Sequence, residues 1–353
     1  MEPIKIAFLD RDGALIFEPP DTKQIDSIDK LKILPGVIDE LKNLRDSGYK
    51  FIMVSNQDGI GTKSFPKKDF EEPQNEFLRL LKLEGLEFYK IFICPHKKEE
   101  NCSCRKPKIG LLKTWLKSEK INFEKSFMVG DRETDMEFAK NLGIRGIKME
   151  TNGRFPRIAA RTRKTNETDI FVFANLDGTG EYNIDTGLNF FNHMLEQLSK
   201  HSLIDLCVKA NGDLKVDEHH TIEDIAITLG ETLTNALGEK RSIKRYGFLM
   251  PMDDSLVEVA IDLSGRPYFV FNCEFKREKI GDLPTEMIEH FFKSLSDSLK
   301  ANIHINVRYG KNEHHKIEAI FKAFAKALRM ACENDKRAKN TLPTTKGIIG
   351  KSE

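Results

Sequence analysis

The chain has 353 residues, which at roughly 150 residues per domain points to two domains. Lys+Arg 56 against Asp+Glu 55 leaves +1, so no global field favours nucleic acid or an acidic membrane surface as partner. Hydrophobic residues at 39% suffice for packed cores, and the absence of a long apolar run excludes a membrane-spanning helix.

The first residues, MEPIKIAFLD, carry no charged n-region, apolar h-region or cleavage site, so a cytoplasmic chain is expected. Cys94, Cys102 and Cys104 cluster, while Cys207, Cys273 and Cys332 are scattered. That pattern suggests a metal loop and buried thiols rather than a disulfide framework. Charge divides unevenly: residues 1–165 hold 32 basic and 26 acidic side chains, and 166–353 hold 24 and 29. Five basic residues and no acid fall in TNGRFPRIAARTRKTN, read as a solvated linker over 151–165. The expected domains are therefore 1–150 and 166–353.

In the first domain, IAFL (6–9), FIMVS (51–55), KIFIC (90–94) and SFMVG (126–130) read as buried strands. Helical periodicity lies between them in PGVIDELKNLRDSG, KKDFEEPQNEFLRLLKLEG and KIGLLKTWLKSEK, with ETDMEFAKNLG following. Pro73 is expected to kink the second helix or delay its start. The alternation predicts an α/β, Rossmann-like parallel sheet with ligands gathering at the carboxyl ends of its strands.

Those ends carry chemistry. Asp10 and Asp12 follow the first strand, and paired carboxylates there suit a nucleophile and a proton donor for phosphoryl transfer. Carboxylate attack on a phosphate needs a neutralising cation, which implies Mg²⁺. Ser55 and Lys106 supply a hydroxyl and an ammonium for phosphate oxygens, and Asp131, with Asp135 in GDRETD, completes the metal shell. In this order the residues resemble the haloacid-dehalogenase-like phosphatases. The resemblance implies Asp10 as nucleophile, Asp12 as acid/base, and Mg²⁺ held by Asp10, the Asp12 carbonyl and Asp131. Ala14 stands where that family usually has Thr.

CPHKKEENCSC offers Cys94, His96, Cys102 and Cys104, three thiolates and an imidazole at the spacing of a closed tetrahedral Zn²⁺ site. The loop resembles that of the histidinol-phosphate and heptose-bisphosphate phosphatases. A sugar-bisphosphate phosphatase and an inactive zinc-stabilised scaffold remain the alternatives for this half.

The second domain contains an internal repeat. NHMLEQLS then DEHHTIEDI is echoed by EHFFKSLS then NEHHKIEAI, with His193 preceding His219 by 26 residues and His290 preceding His314 by 24. The strand-like runs around these helices make the duplicated unit β-β-α-β-α, an α+β arrangement. Residues i and i+4 on a helix lie about 40° apart, whereas adjacent ones diverge by about 100°. Neighbouring imidazoles therefore serve different ions. His193, His219, His220, Glu223, His290, His314, His315 and Glu318 thus divide into two sites of four ligands. Symmetry implies that each mixes both repeats, within one chain or across a subunit interface. A nitrogen and oxygen shell suits several divalent first-row metals. His201 and His304 read as ordinary packed or surface residues.

These stretches, with KRYGFLMPMDDSL, DLSGRP and LPTTKG, resemble imidazoleglycerol-phosphate dehydratase over 166–350. The resemblance implies two Mn²⁺ per site, loss of water from a diol side chain, and Glu167 in proton transfer. It also implies substrate and phosphate contacts from Gln197, Arg245, Arg266, Lys322, Thr345 and Lys346. A homo-oligomer of 24 subunits is implied as well. Asn192 stands where that family usually has Asp, a position suited to orienting an imidazole. The whole chain resembles a bifunctional histidine-biosynthesis enzyme acting on small phosphorylated substrates.

Overall fold

The computed structural model describes residues 3–247, 250–335, 337–338, 341–345 and 348–349. It divides into two compact units, Met1–Pro156 and Arg157–Glu353. Among the described residues no helix is long and apolar enough to cross a membrane.

The first unit alternates strand and helix: β1 (Lys5–Leu9), α1 (Val37–Asp46), β2 (Tyr49–Asn56), α2 (Lys67–Leu83), β3 (Phe88–Cys94), α3 (Lys113–Ser118), β4 (Phe127–Gly130), α4 (Glu133–Leu142) and β5 (Arg145–Lys148). All pairings are parallel, in the order β3-β2-β1-β4-β5. Ile6 to Leu9 of the central strand are fully buried, as expected of a strand covered on both faces. Pro73 does not delay α2. The helix begins at Lys67 and runs through Pro73, whose ring joins Phe70, Phe77 and Leu81 on one buried face. β5 escaped the sequence reading because RGIK buries only Ile147 and shows no apolar run.

The second unit begins earlier than expected. The basic stretch read as a linker over 151–165 contains β6 (Ile158–Lys164), paired antiparallel with β7 (Thr168–Asn175). Its basic side chains are not those of a solvated connector. Arg161 reaches Glu231 at 2.7 Å and Arg163 reaches Asp224 at 2.5 Å. Charged residues on an edge strand also discourage unwanted pairing. After β7 come β8 (Tyr182–Asp185), α5 (Asn189–Ser202), β9 (Asp205–Gly212) and α6 (His219–Leu237). The second repeat supplies β10 (Tyr246–Gly247), β11 (Met250–Met252), β12 (Ser255–Asp262), β13 (Tyr268–Asn272), β14 (Lys279–Ile280), β15 (Leu283–Pro284), α7 (Glu286–Leu299), β16 (Asn302–Tyr309) and α8 (Glu313–Cys332).

The two sheets share one plan. The first has the order β6-β7-β9-β8; the second has β10-β12-β16-β13, with β11 also on β12. In both, the long strands pair antiparallel and the last pair is parallel. The unit common to both repeats is therefore β-β-β-α-β-α, one strand more than expected, and the second repeat adds a further short strand on β12 and the β14–β15 pair. In the first repeat, β6 lay in the supposed linker.

The helices pair across the repeats, α6 against α7 and α5 against α8. One core runs through both sheets and all four helices, with Phe191, Phe291, Phe292, Phe321 and Phe324 fully buried. Burying each such ring contributes about 1.5–3 kcal/mol. At Gly230, α6 packs against the end of α7. A Cβ there would lie 2.8 Å from the Leu299 backbone nitrogen and collide with the Ser298 hydroxyl. Gly230→Val is expected to destabilise the second unit by about 1–3 kcal/mol or more through overpacking, seen as a lower midpoint in its thermal unfolding.

Candidate active sites and metal centres

The sheet of the first unit brings its acidic residues together at the carboxyl edge. Asp10 follows β1, Ser55 lies near the end of β2, and Asp131 follows β4. A cavity of about 210 Å³ opens there, lined by Asp10, Asp12, Ser55, Lys106 and Asp135 among others. Lys106 is buried, its Nζ 2.7 Å from Asp10 Oδ1 and 2.6 Å from Asp135 Oδ1. Burial alone would lower its pKa, but Asp10 and Asp135 together hold it above the ordinary lysine value. Gly13 has φ +78°, and a Cβ there would come within 2.6 Å of Asp131 Oδ2, so this turn requires glycine.

Each carboxylate has a distinct setting. Asp12 pairs with Arg11 at 2.7 Å and accepts from Gln57 Nε2 at 2.5 Å. Burial pushes its carboxyl up, against the pull of Arg11 and Gln57. Burial, then the charge of Asp10, pushes Asp135 up to about 6. Asp131 Oδ2 accepts from Thr151 at 2.7 Å, whereas its buried Oδ1 has no hydrogen-bond partner. Ligand oxygens of Asp10, Asp131 and Asp135 all lie within 4.8 Å of one another. Three buried carboxylates around one ammonium leave an excess of negative charge, and that arrangement fits a hard cation.

Sequence reasoning missed two residues of this site. Gln57 bridges Asp12 and Ser55, donating to Ser55 Oγ at 2.8 Å. Asn56 grips the Lys106 backbone, accepting its N–H at 2.9 Å and donating to its carbonyl at 3.2 Å. The available signal was that both directly follow Ser55 at the strand end. Ala14 is fully buried.

After β3, the four residues Cys94, His96, Cys102 and Cys104 converge. Their approaches run from 3.1 Å, His96 Nδ1 to Cys104, to 3.7 Å, His96 Nδ1 to Cys94. Cys94 to Cys104 is 3.3 Å and Cys94 to Cys102 is 3.6 Å. Lys108 donates to the Cys102 carbonyl at 3.0 Å, and Arg105 donates to the His96 carbonyl at 2.9 Å. The loop that presents Lys106 is thereby tied to the four-residue cluster.

In the second unit the helix pairing sorts the duplicated ligands. His219 and Glu223 on α6 meet His290 on α7; His314 and Glu318 on α8 meet His193 on α5. His290 Nε2 lies 3.5 Å from Glu223, and His314 Nε2 lies 3.4 Å from Glu318. Burial and the neighbouring His219 lower the pKa of His290, against the pull of Glu223, favouring the neutral ring that ligates metal.

Each cluster mixes both repeats but contains three of the expected four ligands. His220 and His315 turn away, their ring centroids 6.1 and 6.2 Å from their neighbours. His220 instead groups with Glu167 and Asp213.

The expected phosphate contacts are not gathered in one place. Arg245, Arg266 and Thr345 line one cavity, together with Thr344. Arg245 donates to both oxygens of Asp262, at 2.5 and 2.9 Å, and to the Pro343 carbonyl. Lys322 lies instead on α8, 2.8 Å from Glu318, and Gln197 contacts His201 at 3.1 Å. Lys346 lies outside the described residues. Asn192 accepts both the N–H and O–H of Thr186, at 2.9 and 2.6 Å, so it fixes the loop before α5 rather than an imidazole. His304 lies on β16 near the Tyr268 ring.

The imidazoleglycerol-phosphate dehydratase family model matches residues 186–328, and the polynucleotide kinase 3 phosphatase model matches 5–151. The chain is 49% identical to the histidine biosynthesis bifunctional protein HisB of Buchnera aphidicola subsp. Schizaphis graminum, over 98% of this chain and 99% of that protein. It is 48% identical to the HisB of Actinobacillus pleuropneumoniae serotype 3, over 97% and 98%. Among solved structures, the imidazoleglycerol-phosphate dehydratase of Staphylococcus aureus is 37% identical, with TM-score 0.46, covering 50% of this chain and 99% of that one. The D,D-heptose 1,7-bisphosphate phosphatase of B. bronchiseptica is 25% identical, with TM-score 0.37, covering 40% and 79%. Matched at nearly half its residues along almost the whole of both chains, this protein belongs to the family of bifunctional histidine-biosynthesis enzymes, uniting a phosphatase and an imidazoleglycerol-phosphate dehydratase in one polypeptide.

Proposed function

We propose that the first unit hydrolyses histidinol phosphate and the second dehydrates imidazole glycerol phosphate to imidazole acetol phosphate. The convergence of Asp10, Asp12, Ser55 and Lys106 on one cavity carries the phosphatase reading. Asp10 attacks phosphorus as the bond to the leaving oxygen breaks, and Asp12 gives that oxygen its proton. Burial, which raises the Asp12 carboxyl against the pull of Arg11, supports this first role. Asp12 then takes a proton from the water that cleaves the aspartyl-phosphate. Ser55 and Lys106 hold the phosphate oxygens, and Gln57 and Asn56 fix Asp12 and Lys106 in place.

The donor sets differ in chemistry, and so do the ions they suit. Asp10, Asp131 and the Asp12 carbonyl suit Mg²⁺, supported by the unpartnered Asp131 Oδ1; bound there, it would neutralise charge between carboxylate and phosphate. Cys94, His96, Cys102 and Cys104 suit a structural Zn²⁺, in a cytoplasmic setting that keeps the thiols reduced. The two clusters of histidines and a glutamate suit Mn²⁺, which would stabilise negative charge developing on the substrate's imidazole.

In the dehydratase reading, Glu167 moves the proton, while Gln197, Arg245, Arg266, Lys322, Thr345 and Lys346 bind the substrate. Three ligands per cluster within one chain, with His220 and His315 directed elsewhere, support completion of each site by another copy. The proposed assembly has 24 subunits.

Asp10→Asn is expected to reduce histidinol phosphate hydrolysis at least about 10³-fold while leaving dehydratase turnover unchanged. Unchanged hydrolysis would remove Asp10 as nucleophile. Metal analysis of Cys102→Ser/Cys104→Ser protein is expected to show loss of zinc alone, and His219→Gln/His314→Gln loss of manganese alone. Gel filtration is expected to give a large assembly; a monomer retaining dehydratase activity would contradict sites completed between subunits.

A further inference from the structure

His220 and His315 each turn Nδ1 to a carboxylate, but the two cradles are built differently. In the first repeat, His220 Nδ1 lies 3.1 Å from Asp213 and 3.6 Å from Glu167. Glu167 belongs to the turn between β6 and β7, and is wanted elsewhere for proton transfer. The quasi-equivalent turn of the second repeat, between β11 and β12, carries Asp253 and Asp254 instead. Asp254 Oδ1 lies 2.5 Å from His315 Nδ1, whereas the exposed Asp253 stays 3.8 Å from Nε2, beyond hydrogen-bond reach.

The other oxygen of Asp254 is also engaged. Oδ2 accepts the backbone N–H of Lys311 at 2.5 Å and of Asn312 at 3.0 Å. Those residues immediately precede α8, the helix that carries His315. One carboxylate thus joins the β11–β12 turn to the start of α8 and to the imidazole on its first turn.

We infer that Asp254 is a positioning residue for His315, holding Nδ1 so that Nε2 is left as the metal donor. The inference rests on the reading of His315 as a ligand completing a metal set. A carboxylate on the far nitrogen fixes the tautomer, aims the ring and makes it a better donor. The duplicated site is consequently unequal. His315 is aimed by a carboxylate anchored to the backbone just before its own helix, whereas His220 rests in a cradle shared with Glu167.

The test uses the full chain, stripped by a chelator and titrated with Mn²⁺ while free ion is followed by electron paramagnetic resonance. Asp254→Ala is expected to raise the Kd of one Mn²⁺ equivalent about 10–100-fold, and Asp254→Glu to recover part of that loss. Phosphatase activity and the far-ultraviolet circular dichroism spectrum, unchanged in both variants, report an intact fold. His315→Gln removes the donor itself and is expected to abolish the same equivalent. If His315→Gln loses that equivalent but Asp254→Ala binds like the unaltered protein, the positioning role is overturned and the metal reading stands. If His315→Gln also binds like the unaltered protein, the metal reading fails and the role of Asp254 fails with it.

Discussion

The second unit depends on helices pairing across its internal repeat. Had each repeat packed its own two helices together, His193 would face His219 and the glutamates would lie with the wrong partners. Because α6 lies against α7 and α5 against α8, each three-residue cluster takes two side chains from one repeat and one from the other. The apolar core enforces this pairing, with five fully buried phenylalanines among the helices. These histidines and glutamates therefore sit where a close-packed interior puts them, and small shifts in that packing move the clusters directly.

The first unit solves a different problem, that of collecting negative charge. Asp10 and Asp135 are buried against one ammonium with Asp131 beside them, an arrangement that a low-dielectric interior penalises unless a cation completes it. The cost is spread over a network. Thr151 holds Asp131, Gln57 and Arg11 hold Asp12, and Asn56 holds the backbone of Lys106. The thiol and imidazole cluster secures the same loop from its other side, so the segment presenting Lys106 is fixed at both ends.

Much of this was legible in the sequence because the signals were local. An apolar run followed by a carboxylate marks a strand end, and four thiol and imidazole donors within one loop mark their own convergence. The doubled His-His-x-x-Glu also announced cross-repeat sharing. What escaped depended on long-range contacts. The basic strand β6 looked like a connector because Arg161 and Arg163 find their acidic partners some sixty to seventy residues away on α6. β5 and β8 were too short to show a pattern. Nothing in DD at 253–254 revealed that one carboxylate would reach His315, since the contact requires the hairpin turn to fold back on α8. The separation of Lys322 from Arg245 and Arg266 likewise follows from helix direction, which spacing alone does not encode.

The most direct measurement is anomalous diffraction from a crystal of the metal-loaded protein, collected at the manganese and zinc absorption edges. The expected map has one manganese peak beside His219, Glu223 and His290, another beside His193, His314 and Glu318, and a zinc peak within the four residues from Cys94 to Cys104. Manganese peaks bound by histidines of one repeat alone, or no peaks at the paired helices, would contradict a site built by pairing helices across the repeat.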